Sequence, residues 1–219
     1  MTNILISIKP EHVCKILNKE KTLEVRTTCP AKWKKYLNGK TNIKPEPCKV
    51  FVYCTKGRLL YKSIECNEYL EYYSLEHWNE TDKIINGKVV GEFTLNNIDC
   101  LKSVHYKMYG TNYQYNEVSD EILIKSCLSQ EQVLNYTNGN DLYAWYIDDL
   151  IIYDKPKELI EFSKHGFESL CGSSVCGNSS CPFYLDSNSY DLPPECLCEK
   201  QCQIKKPPQS WCYVEDIGE

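Results

Sequence analysis

The apolar residues of this chain come in short bursts rather than long runs, and that pattern constrains the fold most. NILISI, KVFVYCT (Lys49–Thr55), GKVVGEFTL (Gly87–Leu95) and LYAWYIDDLIIYD are rich in β-branched and aromatic residues and are set off by polar stretches. Such segments predict strands. The last is long enough for one strand, or for two joined at Asp148–Asp149. TLEVRT and the closing PPQSWCYVE add two more. Helical periodicity is confined to short pieces. PEHVCKILN places Val13, Ile16 and Leu17 on one face behind Pro10. SDEILIKSCL and SQEQVLNYT predict two helices, the second opened by a Ser129…Gln132 capping box. KPKELIEF predicts a short helix with Pro156 near its start. Residues 57–87 are polar and Tyr-rich, a surface excursion with room for a hairpin, and 104–116 predict an aromatic loop. Gly91, inside a strand, marks a bulge or a close backbone approach. Strands outnumber helices, so the expected architecture is α+β, a small mixed or antiparallel β-barrel with peripheral short helices.

No apolar run approaches the length needed to span a bilayer. The opening MTNILISIKPEH lacks a basic n-region and a long apolar core, so no signal peptide is expected and a cytoplasmic location is. Charge is distributed unevenly. Residues 1–62 carry 14 basic and 4 acidic side chains, whereas the rest carry 11 and 26. An anionic partner for the basic part, such as RNA or a nucleotide, is one implication; folding that interleaves the two halves is the other.

Seven of the 14 cysteines crowd into residues 171–212. Without a secretory signal a disulfide framework is disfavoured. The stretch is rich in Ser, Asn and Pro and cannot bury much apolar surface, so a structural metal would supply stabilisation. Cys171, Cys176, Cys181, Cys196, Cys198 and Cys202 are the candidate ligands, with zinc the expected ion. Disulfides and an iron–sulfur cluster remain open, and His165 is a possible further ligand. The other cysteines suit core positions, with Cys54 and Cys127 in strand-like runs and Cys212 in the last strand.

LNKEKTLEVR is the stretch with the most concentrated chemistry. Lys21, Glu24 and Arg26, with Lys9 upstream, could cradle phosphate and a base edge. A solvated strand face is the plain alternative. Lys21 shares strand parity with Leu23, so it joins Glu24 and Arg26 only from a turn before the strand. Trp33, Trp145, Tyr146 and Trp211 offer stacking surface. Trp145 suits the core, and Trp211, at a strand entrance, suits a cleft wall.

LISIKPEHVCKILNKEKTLEVR resembles the opening of ASCH domains, which belong to the PUA-like β-barrel superfamily. Lys21, Glu24 and Arg26 match the pattern Gly-x-Lys-x-x-x-x-Arg with Glu two places before the Arg; Lys19 stands at the Gly position. VFVYCT, GKVVGEF, WYIDDLIIYDKPKELIEF and PPQSWCYVE resemble later segments of bacterial and phage members. The resemblance implies one ASCH domain over residues 1–219, with insertions at about 56–86 and at 166–205, the cysteine-rich part. It further implies an RNA- or nucleotide-binding protein whose charged motif lines a cleft, with Lys9, Lys21, Glu24, Arg26 and Trp211 as binding residues. Some relatives hydrolyse N4-acetylcytidine with a Lys, a Thr and a Glu, and others are proposed ribonucleases. An amidohydrolase or ribonuclease is therefore the alternative reading, with Lys21 and Glu24 catalytic, although Glu24 stands where the amidohydrolases keep Thr. A protein partner docking on residues 166–205 is the third.

Overall fold

The computed structural model describes residues 3–63, 67–72, 83–108, 111–116, 118–137, 139–164, 167–168, 174–175 and 203–215. The chain starts with β1 (Asn3–Ile8), α1 (Pro10–Leu17), β2 (Leu23–Arg26), α2 (Ala31–Leu37) and β3 (Cys48–Cys54). Next come β4 (Leu59–Lys62), β5 (Tyr69–Tyr72), β6 (Lys83–Ile84), β7 (Val89–Leu95), β8 (Ile98–Leu101), β9 (Ser103–Met108) and β10 (Thr111–Asn116). Then follow α3 (Asp120–Ser126), α4 (Gln130–Thr137), β11 (Leu142–Tyr146), β12 (Asp148–Lys157), a 3₁₀ turn (Leu159–Glu161), β13 (Ser163–Lys164), β14 (Phe167–Glu168), β15 (Ser174–Val175) and β16 (Trp211–Glu215). The fold is α+β. The chain packs as two compact units: Met1–Glu11, Cys48–Glu92 and Ile151–Glu219 form the first, and His12–Pro47 with Phe93–Leu150 the second.

The first unit is built on a mixed sheet ordered β12-β7-β3-β1-β16-β13. β1 runs parallel to β3, with Ile4 opposite Val50, and antiparallel to β16, with Ile6 opposite Trp211. All six β1 residues are buried, as an interior strand covered on both faces requires. Leu5, Phe51, Tyr53, Val89, Leu159, Phe162 and Val214 form its core, with the Phe51 and Phe162 rings 4.9 Å apart. Cys212 packs against that core, as expected. β4 pairs with β5 in the hairpin anticipated for the Tyr-rich excursion. Gly91 is indeed a point of close approach: a Cβ there would lie 2.4 Å from the Ile151 carbonyl oxygen.

A three-stranded sheet, β2-β11-β8, forms the second unit with a β9–β10 hairpin. Leu23, Val25, Leu101, Leu142 and Ala144 bury one sheet face against Val133 of α4 and against Ile122, Leu123 and Leu128. The Ser129 box closes as the spacing demands. The Ser129 N–H donates to Gln132 Oε1 at 2.8 Å, and the Gln132 N–H donates to Ser129 Oγ at 3.2 Å.

Four expectations need correction. No closed barrel forms among the described residues: the six- and three-stranded sheets are separate, and neither order closes on itself. The aromatic loop at 104–116 is instead a hairpin, because its tyrosines alternate with polar residues and suit a two-faced ribbon. KPKELIEF is not a helix. β12 runs through Pro156 to Lys157, and only a single 3₁₀ turn follows, closed by the Glu158 N–H donating to Glu161 Oε1 at 2.7 Å. Cys127 is not in a strand but follows α3 in a left-handed conformation (φ 52°). The long apolar segment takes the two-strand form, broken before Asp148, with Asp149 at φ 48°.

Candidate functional site

The charged stretch is set by how two helices end. α1 closes in a Schellman turn: the Lys19 N–H donates to the Ile16 carbonyl at 2.9 Å and the Glu20 N–H to the Lys15 carbonyl at 2.8 Å. This places Lys19 at φ 63°, the left-handed position glycine fills most cheaply. The position that holds Gly in the resembled pattern thus ends a helix in this chain, and Lys19 fills it at a cost of about 1 kcal/mol. α3 ends in the same way around Cys127, through Cys127 N–H to the Ile124 carbonyl and Leu128 N–H to the Leu123 carbonyl. That turn leaves the Lys125 and Ser126 carbonyls, and the 21–22 segment takes both. The Thr22 N–H donates to Lys125 O at 2.9 Å, and Lys21 Nζ donates to Ser126 O at 2.6 Å.

Lys21 thus sits in a turn ahead of β2, which lets it meet Glu24. Its Nζ lies 3.4 Å from Glu24 Oε2, and Arg26 Nη2 lies 3.0 Å from Glu24 Oε1. Lys21, Glu24 and Arg26 are 2%, 5% and 7% exposed, so a solvated face does not describe them. Burial pushes the Lys21 ammonium below its ordinary 10.5, with Glu24 opposing the shift. Trp145, fully buried as expected of a core residue, stands opposite Glu24 across the β2–β11 pair, and Tyr143 opposite Arg26.

Beyond Arg26 the second unit opens into a polar hollow of about 590 Å³. Thr27 and Thr28, next in the chain, line it, as does Tyr143. α2 contributes Lys34, and Asn38 follows at its end. Asn140, Asp141 and Ser103 complete the far wall. Asp141 is fixed: the Ser103 N–H donates to Oδ1 at 2.9 Å and Lys102 Nζ to Oδ2 at 3.1 Å. Burial pushes its carboxyl up, but those donors outweigh it and hold the group below the usual carboxylate range. Burial, with Cys29, Cys100 and Asp141 nearby, raises the Tyr143 phenol, which stays a donor. Burial pushes the Cys29 thiol up to about 12, which disfavours the thiolate there.

Sequence reasoning missed both α2 and this hollow. Trp33, Tyr36 and Leu37 lie at helical spacing behind Pro30, and that is the signal for α2, whose buried residue is Trp33. Lys9 and Trp211 belong to the first unit. Lys9 is exposed between β1 and α1, and Trp211 is partly buried with its ring 5.3 Å from Tyr213. Cys171, Cys176, Cys181, Cys196, Cys198, Cys202 and His165 lie outside the described residues. Among the described residues no group of three or more His, Cys, Asp or Glu is placed to hold a metal, and no helix is long and apolar enough to cross a membrane.

No family profile matches the chain, and no curated protein does. Solved structures are similar to it. The crystal structure of ASCH from Zymomonas mobilis is 15% identical over 72% of this chain and 73% of its own, with a TM-score of 0.41. Two single-residue mutants of that protein are 15% and 14% identical. They cover 73% and 98% of this chain, and 77% and 89% of their own, at TM-scores of 0.40 and 0.45. The similar structures are ASCH proteins. ASCH is also the type that the Lys21–Arg26 stretch resembles. At these identities and scores the likeness assigns no ligand and no residue role to this chain.

Proposed function

We propose that this chain binds RNA or a nucleotide through its second unit, with the polar hollow beside α2 as the contact site. The observation that carries the reading is the company that hollow keeps. Lys34 lines it, and Lys32, Lys35 and Lys40 are exposed on or just after the same short helix. Lysines on and just after α2, with hydroxyls, amides and the Asp141 carboxylate lining the hollow, suit a phosphate chain with one nucleotide set into the wall. The buried Lys21–Glu24–Arg26 group then acts as support, holding β2 so that Thr27 and Thr28 reach the hollow. Hydrolysis is the weaker reading, because Glu24 commits one oxygen to each cation and Lys21 donates to a backbone carbonyl.

Binding of single-stranded RNA should be salt-dependent, and Lys32→Ala, Lys34→Ala and Lys35→Ala combined should flatten the log K against log salt slope by about 2. The same variant should weaken binding uniformly across sequences. An unchanged slope in a filter-binding or anisotropy titration would remove α2 from the interface.

Zinc in residues 171–202 belongs to the same reading, supported by the crowding of six cysteines and the scarcity of apolar residues there. Elemental analysis of the purified protein is expected to find at least one zinc per chain, released by a strong chelator. A zinc-free protein would dismiss it. A protein partner docking on 166–205 would be tested by deleting that segment and assaying RNA binding alongside.

A further inference from the structure

We infer that the hollow selects a guanine base; this rests on the nucleotide-binding reading and names the member of the class it takes. Asp141 is the group that discriminates between bases. An ionised carboxylate only accepts hydrogen bonds, at about four lone-pair positions; Asp141 Oδ1 takes the Ser103 N–H, and Oδ2 takes Lys102 Nζ and the Cys100 thiol, the latter at 3.8 Å. The Asp141 side chain is 34% exposed while its Oδ1 is pinned by the Ser103 N–H, so it presents a fixed acceptor to the hollow. Lys102 is 59% exposed, and a surface pair of that kind yields to a ligand at little cost.

Single-stranded RNA offers its Watson–Crick edges to a protein. Guanine alone among the four bases places two donors side by side there, N1–H and the N2 amine, which fit the two oxygens of one carboxylate. Adenine and cytosine pair each amine with an adjacent acceptor that a carboxylate repels, and uracil flanks its one donor with two acceptors. The guanine O6 and N7 acceptors need donors, which the Thr27 and Thr28 hydroxyls and the Asn38 amide supply from other parts of the lining. Lys34 is the cation left for the phosphate.

The test uses the full-length protein and labelled RNA octamers: all-uracil, and all-uracil with one central guanine, adenine, cytosine or hypoxanthine. The guanine octamer is expected to bind about 10-fold tighter than the adenine, cytosine and all-uracil ones. Hypoxanthine, which keeps N1–H but lacks the N2 amine, should fall between. Asp141→Asn should close the gap between guanine and adenine. Equal binding of all octamers by the wild-type protein would overturn the guanine assignment while leaving RNA binding standing. A gap that survives Asp141→Asn would overturn it too. Failure of every octamer to bind would sink the RNA reading and this inference with it. The hypoxanthine comparison needs no substitution, so the inference stays falsifiable even if the Asn variant folds poorly.

Discussion

Glu24→Ala is expected to cost about 3–5 kcal/mol and to leave the second unit at the edge of stability. The alanine removes the carboxylate that bridges two buried cations, Lys21 and Arg26, both under 10% exposed. Both cations are largely desolvated, so in low dielectric their repulsion is little screened. Lys21→Ala should cost less than Glu24→Ala, since Glu24 keeps Arg26, but it strips the Ser126 carbonyl at the end of α3 of its donor. A triple exchange to Lys21→Met, Glu24→Leu and Arg26→Met should recover most of the loss, because an apolar group of similar volume has no desolvation cost. Urea titration of the three variants checks this ordering. A Glu24→Ala protein within 1 kcal/mol of wild type would mean that the triad is not buried as described.

Gly91→Ala is the second large effect, expected at roughly 1–3 kcal/mol or more in the first unit. The added Cβ would meet the Ile151 carbonyl oxygen at 2.4 Å and Ile152 Cα at 3.3 Å. Both are backbone atoms of β12, so no rotamer change relieves the contact; β7 and β12 must part. Gly57→Ala is the matched control. Its Cβ would meet only the Pro10 ring at 3.6 Å, an ordinary contact, so thermal melts should show little change or a small gain. Equal melting temperatures for the two variants would contradict the close approach.

Much of the fold was legible because apolar periodicity reports burial directly. β1, β3, β7 and β16 follow from β-branched bursts, and α1 from Val13, Ile16 and Leu17, all buried. The capping pair Ser129 and Gln132 is local chemistry and needs no tertiary knowledge. Where tertiary context decides, the sequence misleads: ELIEF has helical composition, yet Leu159 and Phe162 are drawn into the first unit's core by a single turn. At the candidate site the charges of Lys21, Glu24 and Arg26 stand out, but their burial depends on two helix ends more than 100 residues apart in sequence. The hollow was invisible because its walls come from four stretches, around Thr27, Lys34, Ser103 and Asp141, none of which carries a local motif.

The interleaving of the two units sets an order of events on the ribosome. All of the second unit has been made once Leu150 is joined, whereas the first lacks its β16 until Trp211–Glu215 are made. β1, first of the strands to emerge, finds β3 early but must wait for β16, its antiparallel neighbour. At about 5–20 residues per second the delay between Leu150 and Glu215 is roughly 3–13 s. During that interval one edge of the buried strand NILISI has no native partner, and a nascent chain stalled there is a substrate for chaperones.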